Sequence, residues 1–400
     1  MKILMLAPQP FFTPRGTPFS VLYRLRALSR LGHEVDLLTY HIGDSPKIPG
    51  VVIHRIPRVP GVRSVRIGPS LMKILLDGLL LVQAAWLAQE NSYDLIHTHE
   101  EAGLMGVALS RIMGVPHLYD MHSSLPQQFG NFGAYNIGPV VGFFRLIEWA
   151  TLAGADGVIT ICPDLARHVE ESTYAGPHRL IENSYTDEPD ETAVRTLAEE
   201  LRRTHGLEGR RVVLYTGTLE AYQGLDLLVE AARTVISQRP DVTVVVVGGH
   251  PDQVEDLRRL VRAAGLEKTF VLTGQVAPAQ IPAWLRLSGL LVSPRSTGTN
   301  SPLKIYQYLK SGVPLVATAI RSHTQILHEG ICRLTPPTPA GMADGLLALL
   351  DDPVMARGLA AAAEEKARQE YANEVYVGKM AEMLEAVMSP NGRRQAARAL

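Results

Sequence analysis

At 400 residues the chain is too long for one typical hydrophobic core, and two domains are the natural expectation. Hydrophobic residues at 46% and charged residues at 20% describe a soluble globular protein and exclude a disordered or fibrous one. A net charge of −1 leaves no global field to attract nucleic acid, so no nucleic-acid partner is expected, although residues 1–90 carry eleven Lys and Arg against five Asp and Glu.

The opening MKILMLAPQPFF has too short an apolar run, and the wrong residues after it, for a signal peptide; it reads as a first buried strand, Lys2–Ala7. A helical pattern over Phe19–Leu31 ends at Gly32. Strands are then predicted at Glu34–Thr39, Val51–Ile56, Asp94–His97, His117–Asp120 and Gly157–Ile161, each short, rich in Val, Ile and Leu, and bounded by Gly, Pro or charge. Leu71–Leu87 is apolar all round, the pattern of a helix buried against a sheet. Lys73, Asp77 and Gln83 interrupt it as a membrane span. The acidic, polar stretch Asn183–Thr192 is the best linker. A second series follows, with strands at Arg211–Thr216, Val242–Val247, Thr269–Thr273, Gly289–Ser293 and Pro314–Thr318. The unbroken valine run marks a strand covered on both faces. From Asp351 to Met388 the pattern is helical, with Tyr376, Met380, Met383, Leu384 and Val387 on one face, and the last residues are expected to fray. Strands alternating with helices imply parallel sheets with helices on both faces. The only cysteines, Cys162 and Cys332, are far apart, which fits a reducing, cytoplasmic compartment.

Two segments are built alike. Arg15-Gly16-Thr17-Pro18 and Asn300-Ser301-Pro302-Leu303-Lys304 each place a hydroxyl residue before a proline at the start of a helical run. Thr17 and Ser301 read as N-caps, with Pro18 and Pro302 in the first turn. A helix N-terminus at the carboxyl edge of a parallel sheet is an anion site, and one in each half suggests a diphosphate held between two domains. Gly16 either lets the backbone approach a ligand or only makes a tight turn.

Three longer segments resemble the retaining glycosyltransferases of family 4 (group 1), which have the GT-B fold: RGTPFSVLYRLRALSRLGHEVDLLT, LYTGTLEAYQGLDLLVEAA and LLVSPRSTGTNSPLKIYQYLKSGVPLVAT. YDLIHTHEEAG, ITICPDLARHV and FVLTGQVAPAQIPAWL also fit, so the resemblance runs along nearly the whole chain in order. It implies two Rossmann-like doubly wound parallel-sheet domains facing a central cleft. Residues 1–185 would form an acceptor domain and 193–370 a nucleotide-sugar domain, with a C-terminal helix at 371–390 packing back on the first. The implied reaction moves a sugar from a nucleotide-diphosphate sugar to a glycan, lipid-linked or small acceptor with retention. It requires no cofactor. No aspartate pair resembles the metal motif of the other main glycosyltransferase fold, and no Cys/His cluster has ligand spacing, so no metal is expected.

By the same resemblance His122, in LYDMHSSLPQQ, would hydrogen-bond the transferred sugar, and the leaving phosphate would help remove the acceptor proton; a structural histidine remains the alternative. His97 and His99 are read as structural or as acceptor lining. Gly217 would lie beside the donor, Gly248-Gly249 after the valine run would let the backbone approach the ligand, and the segment Gly274–Pro282 would offer backbone groups to the nucleobase. The sequence also departs from the family. Its two glutamates, aligned on Gly312-Val313-Pro314, fall at Thr299 and Gln307, and its diphosphate-clamping Arg and Lys fall near Thr218 and Gln223. Gln307 keeps hydrogen-bonding capacity without charge. Arg295 and Lys304 are the candidate replacement cations, unless both are solvated surface charges. A lysine in the first turn opposes the helix dipole, which makes sense if a phosphate binds there too. On the acceptor side Arg55, Arg58, Arg63 and Arg66 precede Leu71–Leu87, a placement that suits peripheral contact with an anionic membrane at its inner face. Two rival readings stay open: a sugar-nucleotide epimerase of the same fold, and a non-catalytic sugar-nucleotide binder, the latter motivated by Thr299 and Gln307.

Overall fold

The computed structural model describes residues 1–13, 16–65, 70–124 and 138–389. The chain forms two compact units, one of Met1–Asn183 with the chain from Asn373 onward, the other of Ser184–Ala372.

The first unit is a seven-stranded parallel sheet. Its strands are β1 (Lys2–Ala7), β2 (Glu34–Thr39), β3 (Val51–Arg55), β4 (Leu95–His99), β5 (His117–Met121), β6 (Gly157–Thr160) and β7 (His178–Leu180), in the order β3-β2-β1-β4-β5-β6-β7. Its helices are α1 (Gly16–Arg30), α2 (Leu71–Glu90), α3 (Gly103–Met113), α4 (Gly138–Gly154) and α5 (Pro163–Glu170), with the final helix Asn373–Met388. The chain begins mid-sheet, moves to one edge, then returns past β1 to build the other half. That reversal between β1 and β4 is where an open α/β sheet leaves a crevice at its carboxyl edge.

The second unit repeats the plan with six parallel strands, β8 (Arg211–Thr216), β9 (Val242–Val247), β10 (Phe270–Gly274), β11 (Leu290–Ser293), β12 (Leu315–Thr318) and β13 (Arg333–Thr335), ordered β10-β9-β8-β11-β12-β13. Its helices are α6 (Glu191–Thr204), α7 (Leu225–Gln238), α8 (Pro251–Ala263), α9 (Ile281–Leu287), α10 (Leu303–Lys310), α11 (Arg321–Thr324), α12 (Pro339–Asp351) and α13 (Pro353–Glu370), leaving Asn373–Met388 as α14. Here the reversal lies between β8 and β11. Every residue of Val242–Val247 is buried, as its unbroken apolar run requires.

Several expectations need correction. The linker is shorter than Asn183–Thr192, because Asp190 caps α6 by accepting from the amides of Thr192 (2.8 Å) and Ala193 (3.3 Å). The helical tail is two helices separated at Tyr371 and Ala372, so its halves belong to different units. In α14 the face Tyr376, Met380, Met383, Leu384 and Val387 is buried. It meets β6 so closely that a Cβ on Gly157 would lie 2.3 Å from Val387 and 2.4 Å from Met383. Strands β7 and β13, three residues each, have no apolar run to announce them. Finally, α2 is not a buried core helix. Leu76, Leu80, Ala84 and Leu87 pack on the sheet, and most of its other apolar side chains are exposed.

Candidate active site

In the first unit the crevice between β1 and β4 is bridged by side chains. Thr17 lies inside the first turn of α1 rather than capping it, and its hydroxyl donates to Oε1 of Glu100 (3.1 Å), just past the end of β4. Gly16 opens the helix with open space where a Cβ would stand. Arg15 and Arg66 lie outside the described residues. Glu100 is the one non-glycine among the described residues with positive φ, at 49°. A side chain held there costs about 1–3 kcal/mol of strain, which the surrounding packing must impose. Burial, and Glu101 beside it, raise its carboxyl above the usual range.

One strand over, His122 follows β5, and a buried polar cluster holds it. Its Nε2 lies 3.2 Å from Oδ1 of Asp120 and 3.0 Å from Nδ1 of His99, whose ring stacks on His97 at 4.8 Å. Arg24 donates from Nε to Oδ2 of Asp120 (2.6 Å), from Nη2 to the Ile181 carbonyl (3.0 Å) and from Nη1 to the Tyr376 hydroxyl of α14. Arg24 and Asp120 are wholly buried. Despite the desolvation cost of burial, Arg24 and His122 hold the Asp120 carboxyl well below the ordinary range, whereas burial keeps His97 and His99 neutral by lowering theirs. His97, His99 and Asp120 also form the one group of potential metal ligands among the described residues, their ligand atoms within 4.8 Å of one another. Sequence spacing had not suggested such a group. Its Oδ2, 3.6 Å from His97 and 3.7 Å from His99, already accepts from Arg24, so the arrangement is that of an ion pair supporting histidines.

The second unit places its candidates at the corresponding crevice. Tyr308 on the buried face of α10 accepts from the Thr216 amide (2.8 Å) and so fixes α10 against the end of β8. One turn earlier, Lys304 reaches across the reversal. Its Nζ lies 3.6 Å from the centre of the Tyr215 ring, donates to Oε1 of Gln223 (3.2 Å) and sits 3.4 Å from where a Gly217 Cβ would stand. Burial and the charge of Arg295 push its amine well below the ordinary lysine value. The Tyr215 hydroxyl donates to the Thr218 carbonyl (2.6 Å), and Gln223 Nε2 reaches the Thr218 hydroxyl at 3.5 Å. Gly248 backs this loop. A Cβ there would stand 1.9 Å from the Gly217 carbonyl oxygen, so that glycine serves contact between two loops. Gly249 packs against Leu219 in the same way.

The loop from Arg295 to Pro302 folds on itself. Arg295 donates to the carbonyls of Thr297 (2.8 Å) and Asn300 (2.9 Å) and lies over the Tyr222 ring, so it is not a solvated surface cation. The Thr299 carbonyl accepts from Gln325. Ser301 does not cap α10. The helix starts one residue later, Pro302 takes the N-cap position in extended conformation, and the enclosed Ser301 hydroxyl finds no hydrogen-bond partner among the described residues. Leu303, Lys304 and Gln307 share the less buried face of α10 opposite Ile305, Tyr306, Tyr308 and Leu309.

Sequence reasoning passed over His323, which is buried and braces this loop. Its Nε2 pairs with the Ser293 hydroxyl (2.9 Å) and its Nδ1 with the Thr318 carbonyl (2.8 Å), an assignment that follows from those partners. Burial lowers its pKa to about 4, and that of His117 in the first unit to about 3. The unfolded chain takes up these protons near pH 6.5 and the folded chain only at the lower values. Stability from both groups is therefore complete above pH 6.5 and drains as pH falls through that window, by up to about 3 kcal/mol for His323. Denaturant midpoints followed from pH 7 to pH 4 should fall steadily, and His323→Gln should flatten the fall in the second unit. Midpoints independent of pH would contradict this.

Residues 16–183 match the family described as glycosyl transferase 4-like domain, and residues 210–352 match glycosyl transferases group 1. The chain is 27% identical to the alpha-D-kanosaminyltransferase of Streptomyces kanamyceticus over 66% of its own length and 70% of the relative's. It is 25% identical to the phosphatidyl-myo-inositol mannosyltransferase of Mycolicibacterium smegmatis, over 92% and 89% respectively. Sucrose-phosphate synthase from Thermosynechococcus elongatus superposes with a TM-score of 0.76 at 20% identity, covering 96% of this chain and 98% of that one. Anabaena HepE in complex with UDP-glucose superposes at 0.74 and 19% identity, covering 96% and 99%. The two family matches fall in chain order on the two parallel-sheet units, and the chain belongs to the group 1, family 4 glycosyltransferases with the GT-B fold.

Proposed function

We propose that this glycosyltransferase takes a nucleotide-diphosphate sugar on its second unit and delivers the sugar, with retention and without a metal, to an anionic or lipid-linked acceptor received by the first. It would act in the cytoplasm, at the inner face of a membrane. In the transfer the bond from the anomeric carbon to the diphosphate breaks, and a bond to the acceptor oxygen forms on the same face. The acceptor proton passes to the departing phosphate, and His122 hydrogen-bonds the sugar while this happens. The named transferases among the relatives support the reaction class.

The observation that carries the donor reading is Lys304. At the two places where the family has its clamp cations this chain has Thr218 and Gln223, and the Lys304 amine is hydrogen-bonded to Gln223. One cation is thus supplied to the same loop from a different helix. Burial and the nearby charge of Arg295 lower its pKa, a cost that a bound anion would offset. A diphosphate there would raise it again. Arg295 holds the loop that brings Asn300, Ser301, Pro302 and Leu303 to the same crevice and adds its charge. Lys304→Met should weaken nucleoside diphosphate roughly tenfold to a hundredfold, the worth of a hydrogen bond to a charged group, and leave nucleoside nearly unchanged. Equal weakening of nucleoside and nucleoside diphosphate would refute the diphosphate role.

Thr299 and Gln307 favour a second reading, a sugar-nucleotide binder without turnover. Nucleoside diphosphate released only when acceptor is added separates it from a transferase, and from an epimerase, which needs no acceptor. Activity that survives a chelator would support the metal-free mechanism.

A further inference from the structure

Of the eighteen large apolar side chains exposed among the described residues, twelve lie on α2, α3 and α4. These helices are neighbours on one face of the first sheet, with α3 packed between α2 and α4. Such clustering on a domain that otherwise buries its apolar residues marks a docking surface.

The pattern on α2 is regular. Leu76, Leu80, Ala84 and Leu87 point into the core, and Leu71, Leu75, Val82 and Trp86 run along the opposite side. By length and composition it is the one described helix able to cross a bilayer. Its four inward side chains are committed to the sheet, however, so the helix lies along a surface with its roughly 30 Å length exposed. On α3 the outward residue Ile112 is 81% exposed, and on α4 Phe143, Leu146 and Trp149 stand on one side of the helix.

The charges decide what covers this face. The exposed charges on the three helices are Arg111, Arg145 and, at the far end of α2, Glu90. The other carboxylates turn inward. Asp77 accepts from the Tyr40 hydroxyl, and Glu148 pairs with His168 (2.7 Å). Lys73 is likewise taken by Glu101. Arg58 and Arg63, in the loop leading to α2, are exposed, whereas Arg55 is consumed by the carbonyls of Tyr40, Ile42 and Asp44. A second copy of this surface would bring arginines against arginines with almost no carboxylate to meet them. An anionic lipid headgroup layer satisfies the arginines and takes the apolar side chains beneath it, with Trp86 and Trp149 at the boundary.

The geometry points to the α2–α3–α4 face as a monotopic docking surface for an anionic bilayer. This deepens the proposed use of a lipid-linked acceptor and rests on that reading only for its purpose, since docking itself needs neither donor nor acceptor.

The test uses the full chain and vesicles of phosphatidylcholine with or without phosphatidylglycerol. Wild-type protein should float with the anionic vesicles and lose at least tenfold in bound fraction on neutral ones or in high salt. Brominated lipid should quench tryptophan emission, and quenching reports this face because the third tryptophan, Trp284, is buried in the other unit. Leu75→Glu with Val82→Glu should abolish flotation without lowering the melting temperature, as both side chains are exposed. Arg111→Gln with Arg145→Gln should remove the preference for anionic lipid and keep the fold. No flotation at low salt, or a wild-type dimer that Leu75→Glu with Val82→Glu dissociates, would overturn the proposal. If flotation fails while nucleoside diphosphate still binds through Lys304, only the docking is wrong. If flotation succeeds and no transfer is found, the transferase reading fails instead.

Discussion

Arg24→Met should remove about 3–5 kcal/mol from the unfolding free energy of the first unit, because it leaves a buried carboxylate without its cation. Arg24 and Asp120 are both fully buried, and the guanidinium also serves the Ile181 carbonyl and the Tyr376 hydroxyl, so one substitution takes a donor from three acceptors. Asp120 ionises well below the ordinary range in the native fold. Its contribution is therefore present above the unfolded carboxyl value near pH 4 and lost as pH falls beneath it. In the variant a buried carboxyl that has lost its guanidinium takes up a proton more readily, so acidification should narrow the gap to wild type. Arg24→Met with Asp120→Asn should recover part of the loss. Denaturant titration gives the energies, and hydrogen exchange over residues 373–388 should quicken as Tyr376 is released. A loss under 1 kcal/mol would mean that the pair contributes no more than a surface ion pair does.

His122→Ala should lower turnover by about 10² to 10⁴, the range for a positioned polar group acting on the reacting centre. The ring is nearly buried, and its Nε2 is fixed by Asp120 and His99, which sets its plane at the end of β5. Nucleoside diphosphate affinity should not change, because the Lys304 crevice belongs to the other unit. Unchanged turnover with a confirmed donor and acceptor would make His122 a structural member of the cluster.

The layout of strands was legible because parallel strands buried on both faces are written as short apolar runs. Lys2–Ala7, Glu34–Thr39, Arg211–Thr216 and Val242–Val247 can be read to the residue. What escaped were contacts that no local pattern encodes. Arg24 sits at a helix position where periodicity calls for an apolar side chain, and Asp120 sits inside a buried strand. Each is intelligible only with the other, and a charged residue out of place in each of two elements was the available signal. The Lys304–Gln223 bond joins residues far apart in the chain, so the missing clamp lysine could be noticed but its replacement only guessed. Thr17 and Ser301 are not the expected caps, because the cap rule ignores where the helix starts; α1 begins two residues earlier and gives Thr17 to Glu100, and α10 begins one residue later and leaves the Ser301 hydroxyl without a partner among the described residues. The outward apolar side of α2 misled for a physical reason, since a helix apolar all round looks the same whether protein or lipid covers it.

The return of α14 to the first unit makes that unit discontinuous, with the whole of Ser184–Ala372 inserted between its parts. During synthesis the residues around Arg24 and Asp120 emerge early, yet the Tyr376 hydroxyl that completes their bonding arrives only when the second unit is already out. At about 5–20 residues per second that delay is on the order of ten seconds or more. Through it, the side of β6 that α14 later covers is open to solvent. The order of birth is therefore the reverse of the order of completion: the half of the molecule made first is the half finished last.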